Sequence, residues 1–128
     1  LAMQTTLTRV MMYKLVKTMN IEIAHFLPEV SEDHKCSNMH GHSQVVTITA
    51  EQSDKDFDGN WVIDLELPEV KFYDHKCLND FLLNPTIENF SKFLFDKLTD
   101  KYGSVIKKVE IQETGNNTGS YERSGIYE

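Results

Sequence analysis

The chain has 128 residues, 40% of them hydrophobic and 26% charged, with a formal charge of −7 from thirteen basic and twenty acidic side chains. That length and balance fit one folded domain over residues 1–128 with a core that needs no disulfide staples, and they exclude a fibrous or wholly disordered chain. The acidic excess argues against a broad surface for nucleic acid or an anionic membrane, and no apolar run reaches the length of a membrane span, so the cytoplasm is the expected compartment.

Residues 1–4, with Leu1 and Ala2 ahead of Met3, are expected to be a tag remnant or disordered and carry no weight. Residues 8–26 are rich in Val, Ile, Met and Tyr and predict a first strand or a bent strand pair. Ile21, Ile23 and His25 would share one face of it. A polar stretch over 29–38 follows. Residues 44–51 then alternate, with Val46, Ile48 and Ala50 on one face and Thr47 and Thr49 on the other, which predicts a half-buried strand. The turn cluster "SDKDFDGN" separates it from "WVID", and the pair reads as a hairpin between residues 43–51 and 61–64.

Pro68 suggests a short helix, since proline is tolerated in a first turn. "NPTIENFSKFLFDKLTDKYG" is the clearest helix: Thr86 can cap it, Ile87, Phe90, Leu94 and Leu98 line one face, and Gly103 can stop it. "VIKKVEIQET" returns to a strand with Val109, Ile111 and Glu113 on one face, and "GNNTGSYERSGIYE" reads as a polar tail. The order gives an α+β domain, an antiparallel sheet of four strands with helices on one face.

"HKCSNMHGH" concentrates the chemistry. His40 and His42 are two residues apart and project from one strand face, in phase with Val46 and Ile48. Such a pair can share one ion; zinc takes imidazole nitrogens at about 2.0 to 2.1 Å, and a catalytic zinc keeps three protein ligands and one open position. His25, at the end of the first strand, is the natural third. Each histidine alone would be read as a solvated or hydrogen-bonded side chain. The three together point to metal.

Cys36 lies four residues before His40 and can reach the same pocket as a proton-transfer group, as a fourth ligand of a closed site, or as an inert thiol. Cys36 and Cys77 are expected to be free thiols. Asp74 beside His75 has the residue types of a carboxylate orienting an imidazole, although adjacent side chains often point apart unless a turn intervenes, and the dipeptide alone reads first as a surface pair. Glu113 stands in phase with buried positions and needs a partner: a cation, backbone donors, or a ligand presenting two N–H groups. Thr86 and Glu88 have a structural reading as cap and first-turn acid. Arg9, Lys35 and Lys76 are candidate phosphate contacts, against the ordinary reading of lone basic residues as solvated.

Taken together, "AHFLP", "HKCSNMHGHS", "GNWVID", "DHKCLND", "NPTIEN" and "IQET" resemble, in order, the group of 6-pyruvoyltetrahydropterin and 6-carboxytetrahydropterin synthases. The three-residue gap between Cys36 and His40 resembles the bacterial carboxytetrahydropterin branch. The resemblance implies a tunnelling fold assembled into a trimeric barrel or a dimer of trimers, with zinc on His25, His40 and His42. It implies Cys36 as an acid-base group, Asp74 and His75 as a dyad supplied across a subunit interface, and Glu113 as the anchor of a pterin ring near Thr86 and Glu88. The implied substrate is 7,8-dihydroneopterin triphosphate, and the implied product 6-carboxy-5,6,7,8-tetrahydropterin on the route to queuosine. The chain departs from the group in a shorter stretch between "VID" and "YDH", in Leu65 and Cys77 where aromatics are usual, and in a longer segment before His25.

Overall fold

The computed structural model describes residues 10–124, so the expected remnant at 1–4 and the candidate contact Arg9 lie outside the described residues. The elements are β1 (Met12–His25), a 3-10 turn (Lys35–Ser37), β2 (His40–Ser53), α1 (Pro68–Lys71), β3 (Lys76–Cys77), a second 3-10 turn (Leu78–Asp80), α2 (Ile87–Tyr102), a third 3-10 turn (Gly103–Val105), β4 (Ile106–Glu113) and β5 (Thr118–Glu122). They form a five-stranded sheet in the order β3-β1-β2-β4-β5. All neighbours are antiparallel except β3, which runs parallel to β1 through Ile23 and Ala24.

The first strand is one continuous β1 paired with β2 from Met12 opposite Ser53 to His25 opposite His40. Its inward face carries Ile21, Ile23 and His25; that of β2 carries Gln44, Val46, Ile48 and Ala50; that of β4 carries Val109 and Ile111. These positions follow the period of two that a half-covered sheet requires. Against them lies α2, whose Ile87, Phe90, Leu94, Phe95 and Leu98 are buried. Thr86 accepts a hydrogen bond from the Asn89 amide at 3.1 Å, and Gly103, at φ 80°, ends the helix in a conformation that favours glycine.

Two expectations are corrected. Residues 61–64 are not a strand: β2 already has β1 on one side and β4 on the other, which leaves no edge for a hairpin partner. The segment instead covers the core, with Ile63 buried and the Trp61 ring 4.8 Å from that of Phe57. The expected polar tail contains β5, which pairs with β4 from Gln112 opposite Thr118 to Lys108 opposite Glu122 and, with the short β3, brings the sheet to five strands. Its one buried position is Gly119, where a Cβ would fall 2.8 Å from Ile87 Cγ1. With glycine at its inward position, the strand has no apolar alternation to betray it.

Candidate metal centre and the cavity around it

The register of β1 and β2 sets His25 directly opposite His40, and the pleat brings His42 to the same face two residues along. The ligand atoms of the three imidazoles lie within 4.8 Å of one another. Their rings are near perpendicular in pairs, at 69°, 87° and 88°, so they converge like the faces of a corner. Side-chain rotation closes that span to the separation of about 3.4 Å that a tetrahedral zinc imposes on its nitrogen ligands.

The surroundings suit a cation. His25 Nδ1 lies 2.8 Å from the Pro85 carbonyl and His40 Nδ1 lies 2.7 Å from the Asn38 carbonyl. A carbonyl oxygen only accepts, so Nδ1 carries the proton in both rings and the Nε2 lone pair is free for a metal. Burial of His25 lowers its pKa, outweighing the opposite pull of the Pro85 carbonyl and Glu113, and so favours the neutral imidazole that a metal needs. Glu113 adds negative charge, with its two carboxylate oxygens each 3.9 Å from Nε2 of one histidine, Oε1 from His25 and Oε2 from His42.

The backbone around the histidines is tied down at several points. Asn79 clamps the end of β1: its side-chain oxygen accepts from the Phe26 amide at 2.9 Å, and its side-chain nitrogen donates to the Phe26 carbonyl at 3.0 Å. On the far side of β2, the Thr114 hydroxyl receives the Ser43 amide at 3.1 Å and donates to the Ser43 carbonyl at 3.2 Å, which continues the β2–β4 ladder past Glu113. His34 caps the turn that carries Cys36, accepting from the Cys36 amide at 3.0 Å.

Gln44, opposite Glu113 in the register, donates from its side-chain nitrogen to Glu113 Oε1 at 3.1 Å. Its own side-chain oxygen is buried without a partner, an arrangement that costs about 1 to 3 kcal/mol. Asn79, Gln44 and His34 were not singled out by residue type. Gln44 carried a signal, a polar residue in phase with Val46 and Ile48.

A cavity of about 540 Å³ opens over the three imidazoles. Cys36 and Glu113 line it, as do Thr86 and Glu88 from the start of α2 and Lys35 from the 3-10 turn ahead of β2. The β4–β5 connection contributes Asn116, Asn117 and Thr118 to its rim. Cys36 and Cys77 are both free thiols.

Asp74 and His75 are elsewhere. They sit at the open edge of β1, where Asp74 accepts from the Glu22 amide at 2.8 Å and the His75 amide donates to the Glu22 carbonyl at 2.6 Å. His75 adopts φ 62°, and its Nδ1 is 3.1 Å from Asp74 Oδ1. The Glu22 amide and then the His75 ring lower the Asp74 pKa. His75 lines a separate, smaller depression of about 280 Å³ with Lys76 and Cys77. Within one chain, then, seven of the nine candidate side chains surround one cavity and two face away from it.

The family model described as 6-pyruvoyl tetrahydropterin synthase matches residues 14–124. A 6-carboxy-5,6,7,8-tetrahydropterin synthase of Bacillus subtilis is 33% identical over a 96-residue alignment that covers 67% of this chain and 65% of that protein; the match thus spans just under two thirds of the relative's length. The structure of Caenorhabditis elegans 6-pyruvoyl tetrahydropterin synthase superposes with a TM-score of 0.71 at 25% identity, over 92% of this chain and 100% of the other. An uncharacterized protein from Wolinella succinogenes shares the fold, with a TM-score of 0.60 at 14% identity over 89% and 99% of the two chains. The α+β sheet-and-helix arrangement is therefore the tunnelling fold. On the match along nearly the whole described chain, the protein belongs to the 6-pyruvoyl tetrahydropterin synthase family.

Proposed function

We propose that this chain is the subunit of a zinc-dependent lyase that takes 7,8-dihydroneopterin triphosphate and water to 6-carboxy-5,6,7,8-tetrahydropterin, acetaldehyde and triphosphate. The observation that carries the reading is the meeting of three imidazoles, one thiol and two carboxylates, Glu88 and Glu113, in a single cavity. The name of the Bacillus subtilis relative favours the carboxytetrahydropterin reaction over others of the family.

His25, His40 and His42 would hold the zinc, which when bound supplies Lewis acidity toward substrate hydroxyl and carbonyl oxygens and so acidifies the neighbouring C–H bonds. Glu113 accepts the two N–H groups on the aminopyrimidinone edge of the pterin and sets the ring's orientation. The Cys36 thiolate removes a proton from the side chain of the substrate and returns it as the reaction proceeds. Thr86 and Glu88 border the same space, and Lys35 gives the triphosphate a cation.

Asp74 and His75 serve as the second proton-transfer pair in the cavity of a neighbouring copy, since the edge of β1 that bears them faces away from their own. That role requires the trimer, or a dimer of trimers, in which open strand edges join into a barrel. The route served is 7-deazaguanine and queuosine formation in the cytoplasm. No helix among the described residues is long and apolar enough to cross a membrane.

A second reading is the 6-pyruvoyltetrahydropterin synthase reaction, which eliminates triphosphate but keeps the side chain; the Caenorhabditis elegans structure favours it. A third is a zinc- and pterin-binding protein with altered catalysis, motivated by the brevity of α1, only four residues before Asp74. Cys36→Ala tests the mechanism. It is expected to keep about one zinc per subunit and lose turnover; release of zinc would make Cys36 a ligand and end its assignment as the proton carrier.

A further inference from the structure

Glu113 stands close to the metal ligands without joining them. Its oxygens are 3.9 Å from His25 Nε2 and His42 Nε2. Around a tetrahedral zinc with bonds of about 2.0 to 2.2 Å, a nitrogen and a carboxylate oxygen would stand about 3.4 Å apart. Each oxygen thus stands about half an ångström beyond that spacing from its own histidine, near enough for a divalent cation to draw the carboxylate toward the fourth position. A three-histidine site that gained it would be closed, as structural zinc sites are.

Gln44 is placed to oppose that shift. It is 99% buried, it faces Glu113 across the β2–β4 register, and its side-chain nitrogen donates to Glu113 Oε1, the oxygen nearer His25. The amide cannot be reversed, because its oxygen would then meet the carboxylate with no hydrogen between them. The partnerless Gln44 oxygen shows that the orientation serves Glu113 and not the satisfaction of Gln44 itself. The Thr114 bonds to Ser43 keep the two strands in register beside the pair.

We propose that Gln44 is a positioning residue that holds the Glu113 carboxylate out of the metal's coordination sphere, which leaves the fourth position open and Glu113 available to the ligand's N–H edge. The inference rests on the reading of a three-histidine metal site with Glu113 as ring anchor. It assigns to one buried amide the difference between an open site and a closed one.

The test uses the full chain with cobalt(II) in place of zinc and neopterin as the phosphate-free ligand. Gln44→Leu is expected to change the visible cobalt spectrum, as a nitrogen-only protein ligand set gains a carboxylate, and to weaken neopterin binding by about tenfold, the loss of one charge-assisted bond. Adding Glu113→Gln to Gln44→Leu is expected to restore the cobalt spectrum without restoring neopterin affinity. Gln44→Met, of similar length but with no N–H, reads the same effect should Gln44→Leu fail to fold. A Gln44 variant whose cobalt spectrum and neopterin affinity both match the parent overturns the role of Gln44 alone. A parent protein that takes up no cobalt or no neopterin overturns the reading of the site and this inference with it.

Discussion

Removing the Asn79 side chain gives a direct view of how the fold supports the candidate metal site. Asn79→Ala deletes the two hydrogen bonds, at 2.9 and 3.0 Å, that fasten the Phe26 backbone one residue beyond His25. Each such bond contributes about 0.5 to 1.5 kcal/mol net, so the pair sets a ceiling of about 3 kcal/mol. Phe26 is only half-buried and water can replace part of what is lost, which lowers the expected cost to about 1 to 1.5 kcal/mol. For a domain of this size that is a fall of roughly 3 to 7 °C in Tm.

The effect on metal should be proportionately larger. His25 is held by β1 on one side and by the Pro85 carbonyl on the other, and freeing the strand end lets the ring leave its bearing. Losses of supporting contacts behind metal ligands typically weaken binding by 10- to 100-fold, and about tenfold is expected here. Competition with a chromophoric chelator measures the zinc affinity, and thermal melting of the metal-free protein measures the stability. A variant that melts lower but binds zinc as tightly as the parent would refute the link between the clamp and the site.

Further outcomes follow from the same geometry. Thr86→Ala removes the hydroxyl that caps α2 and is expected to cost about 1 kcal/mol in urea unfolding, whereas Thr86→Ser should cost much less. Burial pushes the Glu69 carboxyl up, but hydrogen bonds from Lys101 at 2.7 Å and Tyr102 at 2.6 Å outweigh it, and the net shift is down. Because the folded value lies below the ordinary 4.5, the stability Glu69 contributes is full above that pH and is lost as pH falls through the lowered value. Acid titration of the unfolding free energy should therefore be flatter below pH 4.5 in Glu69→Gln than in the parent. Metal analysis should find zinc lost from both His25→Ala and His40→Ala; normal content in His25→Ala would remove it from the ligand set.

The parts legible in the sequence are those where burial imposes a clean period. β2 shows Val46, Ile48 and Ala50 alternating with polar residues, and α2 shows Ile87, Phe90, Leu94 and Leu98 at helical spacing between a threonine cap and a glycine stop; both elements stand there. β5 was hidden because its inward residue is Gly119, chosen for clearance against Ile87 and not for apolar bulk. The 61–64 segment misled because Trp, Val and Ile favour strands locally, while β2, its expected hairpin partner, already had β1 and β4 on its two sides.

The site divides the same way. The spacing of His40 and His42 puts them on one strand face whatever the rest of the chain does, so it could be read locally. That His25 meets them depends on a β1–β2 register spanning fourteen residues, which only the assembled sheet fixes. Asp74 and His75 are adjacent in sequence, and the positive φ of His75 lets the ring turn back toward the carboxylate, a contact that adjacency alone does not predict. Their separation from the cavity within one chain comes from the parallel docking of the two-residue β3 on the outer edge of β1.

Incubating the purified, zinc-loaded protein with 7,8-dihydroneopterin triphosphate and identifying the products by mass spectrometry, with an acetaldehyde trap, reads the proposed reaction itself. The expected products are 6-carboxy-5,6,7,8-tetrahydropterin, trapped acetaldehyde and free triphosphate. A pyruvoyl pterin without acetaldehyde, or recovery of the substrate unchanged, would contradict the proposed reaction.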